Sequence, residues 1–518
     1  MNYRLGIDVG GTNTDAVILD AQDTVIASCK ADTSDPVIDG IRNAVAQVLS
    51  LARIDPKDIH DAMLGTTHAT NAVVQRKGLS RVGLIRLSAP SGFSIPPYIE
   101  WPQDILTVLE ARYHIVKGGY EYNGTPIAAA NRDEISRALD NIAEAEMEAL
   151  AVSGVFSLVN AEQELLVAEL AKERVGKEFP VTLSHEIGAI GLIERENAAI
   201  LNASIRKLAE NAYGSFEDVL KQNDIDAELF ITQNDGTLMG IEYAKHYPVL
   251  TIASGPTNSL RGAAYLSGER DAVVIDVGGT TTDLGVLKNG FPRESGSAVE
   301  IGGIRTNFRM PDLVSIGLGG GSVVKEEGEE LYIGPESVGY RIRSEALCFG
   351  GKTLTATDVA VAAGTANIGN PEKVTGITRE LQERVRDKIR LMVEELVDKM
   401  KTVAGDVPVV AVGGASILIP ERIGGASRVI KPEHYEVANA IGAAIAQVSG
   451  QVDGIFDVAG KGRDAVLEEV KESAIENARK AGAKEETIEI MEIDEIPLTY
   501  LPSNAVRFRA KAVGDLKK

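Results

Sequence analysis

Two stretches of the chain couple a carboxylate to a glycine-rich turn. They are "DVGGTNTDAVIL" from Asp8 and "DVGGTTTDLGVL" from Asp276, identical in seven of their first eight letters. In each, an apolar strand delivers one carboxylate, Asp8 or Asp276, to its carboxyl end. The glycines that follow, Gly10 and Gly11 or Gly278 and Gly279, put no Cβ in the way, so several backbone N–H groups can converge on an anion. Thr12 and Thr280 offer hydroxyl donors at the same edge, with Asn13 and Thr281 beside them. Thr14 with Asp15, and Thr282 with Asp283, open the return strand, where they can order the turn or a metal-bound water. A carboxylate beside a phosphate nest is a contradiction unless a cation lies between them. Mg²⁺, held mostly through waters and phosphate oxygens, resolves it. Asp8 and Asp276 are therefore candidate metal ligands as well as candidate catalytic groups. One such stretch would serve equally as a tight β-turn. Two near-identical copies of one length predict two jaws closing on one polyphosphate tail.

Other residues have chemistry at lower resolution. In "AVGGASILIP", Gly413 and Gly414 follow an apolar strand and suit close passage over an adenine or ribose. His68, between Thr67 and Ala69, is an acid–base candidate, although an isolated histidine more often packs locally. His185 and Glu186 in "SHEIG" are weighed in the same way, and no H-E-x-x-H arrangement supports zinc. Cys348 has no basic partner nearby in sequence and reads as a buried, inert thiol.

The elements that must position these groups follow from periodicity. "YRLGIDV" and "TDAVILD" read as two strands joined by the first turn, and "DAVVID" leads into the second. Strand and helix alternate through the first two hundred residues, which argues an α/β class. Residues 90–131, rich in Gly, Pro and aromatics and holding Trp101, read as long loops or an inserted subdomain, a place where a substrate wall could be built. A long helix is expected over Arg195 to Glu210, and amphipathic helices over 357–403. "SGPTNSLRGAAYLSG" and "NAIGAAIAQVSG" read as small-residue helices. Gly262 with Ala263 and Ala264, and Gly442 with Ala443, Ala444 and Ala446, would let them cross closely and hinge two lobes. The expected organisation is an N-terminal lobe over 1–185, a second lobe over 186–455, and a C-terminal segment over 456–518 that docks onto one of them.

Composition excludes several classes. With 53 Lys and Arg against 75 Asp and Glu, the formal charge is −22, the wrong sign for non-specific nucleic-acid or anionic-membrane binding. Two cysteines far apart make neither a disulfide framework nor a thiolate metal site. No apolar run reaches the length of a membrane span and no export signal is visible, so a cytoplasmic enzyme is expected.

Taken together, two glycine-threonine phosphate turns, an adenosine-side "GG" and two small-residue connecting helices resemble the actin, Hsp70 and sugar-kinase superfamily. Within it the chain is similar to the A-type subunit of the hydantoinase/oxoprolinase family. The matching stretches include "GIDVGGTNTDAVILD", "LGTTHATNAVVQRKG", "ERENAAILNASI", "ITQNDGTLMG", "IDVGGTTTDLGVL", "VSIGLGGGSVV" and "TATDVAVAAG". The resemblance implies a two-lobed actin-like ATPase (ribonuclease H-like) α/β fold with inserted subdomains. It implies ATP and Mg²⁺, and ATP-dependent opening of a cyclic amide such as a hydantoin, 5-oxoproline or a lactam. It also implies a separately encoded B-type subunit and an oligomer. Thr66, Thr67, Thr70 and Asn71 match the family's second N-terminal turn, and Asp312 with Gly317, Gly319, Gly320, Gly321 and Ser322 its glycine-rich segment; these are candidate substrate or supporting residues. Alternatives within the same resemblance are a ketone carboxylase subunit, a small-molecule kinase and a non-catalytic nucleotide switch. The chain departs after "GPES", where many members carry Asp-Pro-Gly-Pro-Ala-Cys-Tyr-Gly and this one has "VGYRIRSEALCFGG". That departure is expected to bear on the substrate more than on the nucleotide.

Overall fold

The structure is a computed structural model that describes residues 2–33, 37–295, 299–307, 310–498 and 505–517. It is built on two mixed sheets of related topology. In the first, the strand Tyr3–Val9 runs antiparallel to Asn13–Leu19 and parallel to Ile59–Thr66. In the second, Ala272–Val277 runs antiparallel to Thr282–Lys288 and parallel to Val407–Val412. The hairpin registers are the same: Asp8 opposes Asp15 and Val9 opposes Thr14, as Asp276 opposes Asp283 and Val277 opposes Thr282. These strands read as nearly unbroken apolar runs because both of their faces are covered, as central strands of α/β folds require.

The first sheet has nine strands in the order 489–497, 505–514, 447–457, 237–240, 228–232, 59–66, 3–9, 13–19, 25–32. Its membership crosses the boundaries expected at 185/186 and 455/456. Strands Glu228–Thr232 and Thr237–Gly240 belong with the N-terminus, and the C-terminal strands Glu489–Pro497 and Ala505–Gly514 extend the same sheet through Gln447–Asp457. Sheet pairing is non-local, so position along the chain is a poor guide to which sheet a strand joins.

Between the sheets, the helix Ser254–Ser267 crosses the short helix Ala438–Ala444. A Cβ on Gly262 would collide with the carbonyl of Ala438, and one on Gly442 with the carbonyl of Asn258. Only glycine lets the two backbones touch, as the small-residue spacing predicts. The second helix is shorter than its sequence suggests. It stops at Ala444, and Gln447–Asp457 continues as a strand paired with the C-terminal strand.

Residues 82–183 form an inserted unit with a four-stranded parallel sheet, in the order Arg112–Lys117, Val82–Ala89, Ala149–Gly154, Val181–Leu183. Trp101 lies in this insert. It is 7% exposed and donates from Nε1 to Asn197 Oδ1 at 2.9 Å, fastening the insert to the helix Leu192–Gln222. That helix is twice as long as expected, because its second half packs Tyr213, Phe216 and Val219 into the core of the first sheet.

Candidate functional site

The two hairpin turns face each other. Each closes with the same bond, Gly10 N–H to Asn13 O at 3.0 Å and Gly278 N–H to Thr281 O at 2.9 Å. None of Gly10, Gly11, Gly278 and Gly279 takes a left-handed φ. Gly279 is the one crowded by the opposite turn: a Cβ there would stand 2.9 Å from Thr12 Oγ1, whereas one on Gly11 would meet nothing within 4 Å. One cavity of about 400 Å³ is lined from both sides, by Asp8, Gly10, Gly11, Thr12, Asn13 and Asp15 on one and by Asp276, Gly278, Gly279, Thr280, Thr281 and Asp283 on the other. Gly413 and Gly414 close a third side. Gly413 has φ +87°, and a side chain there would run into the Asp276 carboxylate.

Asp8 is buried and Asp276 half-buried, and both are held from the connecting helices. Asp8 is 3% exposed. Its Oδ1 accepts from Asn258 Nδ2 at 2.9 Å and its Oδ2 from Asn439 Nδ2 at 3.0 Å. Asn439 also donates to Asp15 Oδ2 at 2.8 Å, and Lys30 Nζ donates to Asp15 Oδ1 at 2.5 Å. Asp276 Oδ2 accepts from Ser259 Oγ at 2.5 Å. Burial pushes Asp8 up to about 6, against the pull of the Asn258 amide. Burial pushes Asp276 up to about 7; Ser259 opposes this, while the charges of Asp283 and Asp8 add to it.

Two carboxylates held at one cavity wall, the charge of Asp8 raising the pKa of Asp276, suit a cation between them. Among the described residues there is no group of three or more His, Cys, Asp or Glu that could hold a metal by itself. A pair of carboxylates is nonetheless what Mg²⁺ takes when waters and phosphate oxygens fill its remaining positions. Asp8 and Asp276 fit that demand.

Residues 4–175 match the family described as the hydantoinase/oxoprolinase N-terminal region, and residues 195–407 match hydantoinase/oxoprolinase itself. The chain belongs to the hydantoinase/oxoprolinase family. It is 28% identical over 396 residues to the acetophenone carboxylase gamma subunit of Aromatoleum aromaticum, covering 70% of this chain and 53% of the relative. It is 26% identical over 391 residues to the caprolactamase subunit alpha of Pseudomonas jessenii, covering 70% of this chain and 54% of the relative. The chain thus spans about half the length of these curated relatives. The crystal structure of the ATP-dependent caprolactamase from Pseudomonas jessenii superposes with a TM-score of 0.77 at 19% identity, over 99% of this chain and 88% of that one. The likeness shows the fold, an α/β fold with two mixed sheets and an inserted unit that is shared with that caprolactamase.

Within this family member, several expected residues sit outside the cavity. Thr14 and Thr282 are fully buried and face away from it, Thr14 near Thr33 Oγ1 at 3.4 Å and Thr282 donating to Leu318 O at 2.7 Å. Of Thr66, Thr67, Thr70 and Asn71, only Thr67 lines the cavity. The rest tie their turn to its surroundings, with Asn71 donating to Thr67 Oγ1 at 3.3 Å and Thr70 Oγ1 accepting from Ala253 N–H at 3.3 Å. His68 opens the helix His68–Gln75 and does not line the cavity, and burial lowers its pKa. Asp312 accepts from Arg293 Nη2 at 2.5 Å, also outside. Cys348 is 1% exposed and burial pushes its thiol up to about 12, the inert state expected.

The segment that departs from the family pattern is part of the cavity wall. Gly339, Tyr340, Ile342, Arg343 and Phe349 line the same cavity as the two turns. Lys30, Asn258, Ser259 and Asn439 hold the site's carboxylates, and motif reading missed them. Only Lys30 carried a usable signal, since the hairpin register sets it opposite Asp15.

Proposed function

We propose that the cavity binds ATP with Mg²⁺ and that the chain uses it to open a cyclic amide by phosphorylating the amide carbonyl. The observation that carries this reading is the facing pair of near-identical turns around one cavity, each with a carboxylate at its root. The turn N–H groups of Gly11 and Gly279, with Thr12 and Thr280, would receive the phosphates, those of Gly10 and Gly278 being engaged in closing the turns, and Lys30 adds a positive charge at the same wall. Asp8 and Asp276 would hold the magnesium and its waters, which supply charge neutralisation for the transferring phosphoryl group. Gly413 and Gly414 would pass beneath the adenosine, with Tyr340 and Phe349 at the same end.

An amide carbonyl is a poor electrophile. Transfer of the γ-phosphoryl group to its oxygen, with ADP leaving, makes the carbon open to attack by water. The C–N bond then breaks, the amine takes a proton, and hydrolysis of the remaining acyl phosphate by a second water leaves a carboxylate and inorganic phosphate. The protein's contribution is alignment and electrostatics, the bulk of what phosphoryl-transfer sites supply. A relative named as a caprolactamase subunit supports the amide reading. One named as an acetophenone carboxylase subunit supports a second, in which the phosphorylated species serves carboxylation of a ketone.

Phosphate release from ATP by the purified protein, measured with hydantoin, 5-oxoproline, caprolactam or acetophenone plus bicarbonate, separates the two. The amide reading expects stimulation by at least one cyclic amide without bicarbonate. Stimulation only by ketone with bicarbonate would replace it, and a phosphorylated small-molecule product would point instead to a kinase. A B-type subunit and an oligomer are part of the same proposal, and adding such a subunit is the next arm if the chain alone is silent.

A further inference from the structure

A second cavity, of about 720 Å³, shares no lining residue with the phosphate cavity. It lies between the inserted unit and the far half of the nine-stranded sheet, under "SHEIG" and "ITQNDGTLMG", two stretches the phosphate site does not use. Its polar groups are graded by depth. Asn234 is 3% exposed, and its Nδ2 donor is buried with no partner. His185 is oriented from behind: its Nδ1 stands 2.7 Å from Glu164 Oε2, leaving Nε2 as the ring atom without a protein partner among the described residues. Glu164 is itself locked, accepting from Ser184 Oγ at 2.6 Å and from His185 N–H at 3.2 Å. Burial lowers the His185 pKa, but the bond and charge of Glu164 outweigh it and hold the ring above its ordinary value. Farther out, the exposed carboxylates of Glu186 and Glu228 line the same cavity. Asp453 is already matched by a two-pronged bond from Arg507 at 2.8 and 2.7 Å. Phe230, Leu238 and Met239 form an apolar wall.

A buried amide and a half-buried imidazole inside, exposed carboxylates at the rim, of which Glu186 also accepts from Tyr247 Oη at 2.7 Å, and an apolar wall suit a molecule with one anionic end, one cationic end and a short hydrocarbon body. We propose that this cavity is a binding site for a small amino acid, its carboxylate received by His185 and Asn234 and its ammonium group facing Glu186 and Glu228. The site also has a route to the phosphate cavity. The Asn234 carbonyl accepts from Thr257 Oγ1 at 3.0 Å, and the next residue, Asn258, holds Asp8. Its occupancy is separate from the reaction at the cleft, although opening of a cyclic amide yields molecules of this class.

Isothermal titration of the full chain with glutamate, 4-aminobutyrate and 6-aminohexanoate tests the site, with butyrate and butylamine as single-charge controls. At least one amino acid should bind, and the single-charge probes should bind about tenfold more weakly or worse, since each loses a charge-assisted hydrogen bond. His185→Phe and Asn234→Leu should each weaken that amino acid by about tenfold. Magnesium-dependent ATP binding should be unchanged in His185→Phe. Because Asn234 is buried, the exposed double change Glu186→Gln with Glu228→Gln provides a variant that keeps the fold. It should weaken the amino acids and spare butyrate. Absence of binding by all three amino acids would overturn the proposal. So would binding indifferent to His185→Phe and to the rim change, or displacement of the amino acid by ATP, which would place it in the cleft.

Discussion

The two glycine turns are nearly the same sequence in nearly the same geometry, yet their carboxylates are held very differently. Asp8 is clamped on both oxygens by amides from two helices, and a third contact through Asn439 ties it to Asp15 and so to Lys30. Asp276 has one side-chain donor among the described residues, the Ser259 hydroxyl. Burial acts on both, and the group with fewer donors is pushed further, to about 7 against about 6. Duplication of a motif therefore preserves the turn and the direction of its carboxylate, while the protonation behaviour is set by neighbours outside the motif.

The comparison can be broken most severely at the carboxylates themselves. Asp8→Asn and Asp276→Asn should each lower magnesium-dependent ATP turnover by about 10²-fold or more, the usual cost of removing a group that stabilises transition-state charge. Near-normal turnover in either variant would end the equivalence of the two jaws. One step down, Ser259→Ala should reduce kcat more than Asn258→Ala. The first strips Asp276 of its single donor, at about tenfold in rate for a hydrogen bond to a charged group. The second leaves Asp8 with Asn439. The reverse ranking would show that the amide clamp, and not its redundancy, is what matters.

Acidity sharpens the contrast without ligands. A carboxyl whose folded pKa lies above its unfolded value binds its proton more tightly when folded. Its contribution to stability is present at low pH and fades as pH rises from about 4 to about 7. The ligand-free protein should thus lose denaturant resistance across that window. Asp276→Asn should flatten the upper part of the slope more than Asp8→Asn does. The smallest effect belongs to the rim, where Arg343 Nε meets Asp32 Oδ1 at 3.4 Å across the cavity mouth and both side chains are largely exposed. Arg343→Ala should change stability by less than about 1 kcal/mol, measured as a denaturant midpoint.

Much of the chemistry was legible because it is local. The duplicated turns, their return strands and the small-residue helices each occupy one short stretch, and periodicity alone could have refined them further. Side chains alternate across a strand, so if Asp8, Asp15 and Lys30 share a face, Thr14 must take the other, as it does. The same alternation turns Thr282 away from Asp283. What the letters did not reveal is distant in the chain. Asn258 and Asn439 reach Asp8 from 250 and 431 positions away, and nothing in their own neighbourhoods marks them as partners of a carboxylate. The nine-stranded sheet hides for the same reason, since its last strands come from the end of the chain. The inserted subdomain was legible around Trp101, but not what the ring does: it ties the insert to a helix residue 96 positions away.

Asn258 and Ser259 are consecutive residues on one helix, and each grips the carboxylate of a different lobe. Their side chains leave the axis about 100° apart, as 3.6 residues per turn dictates. A single rigid rod therefore acts as the gauge that sets how far apart the two carboxylates stand. Rolling this rod by a few degrees would shift both at once and in different directions, so the width offered to a cation is adjusted by one rotation and not by two independent movements.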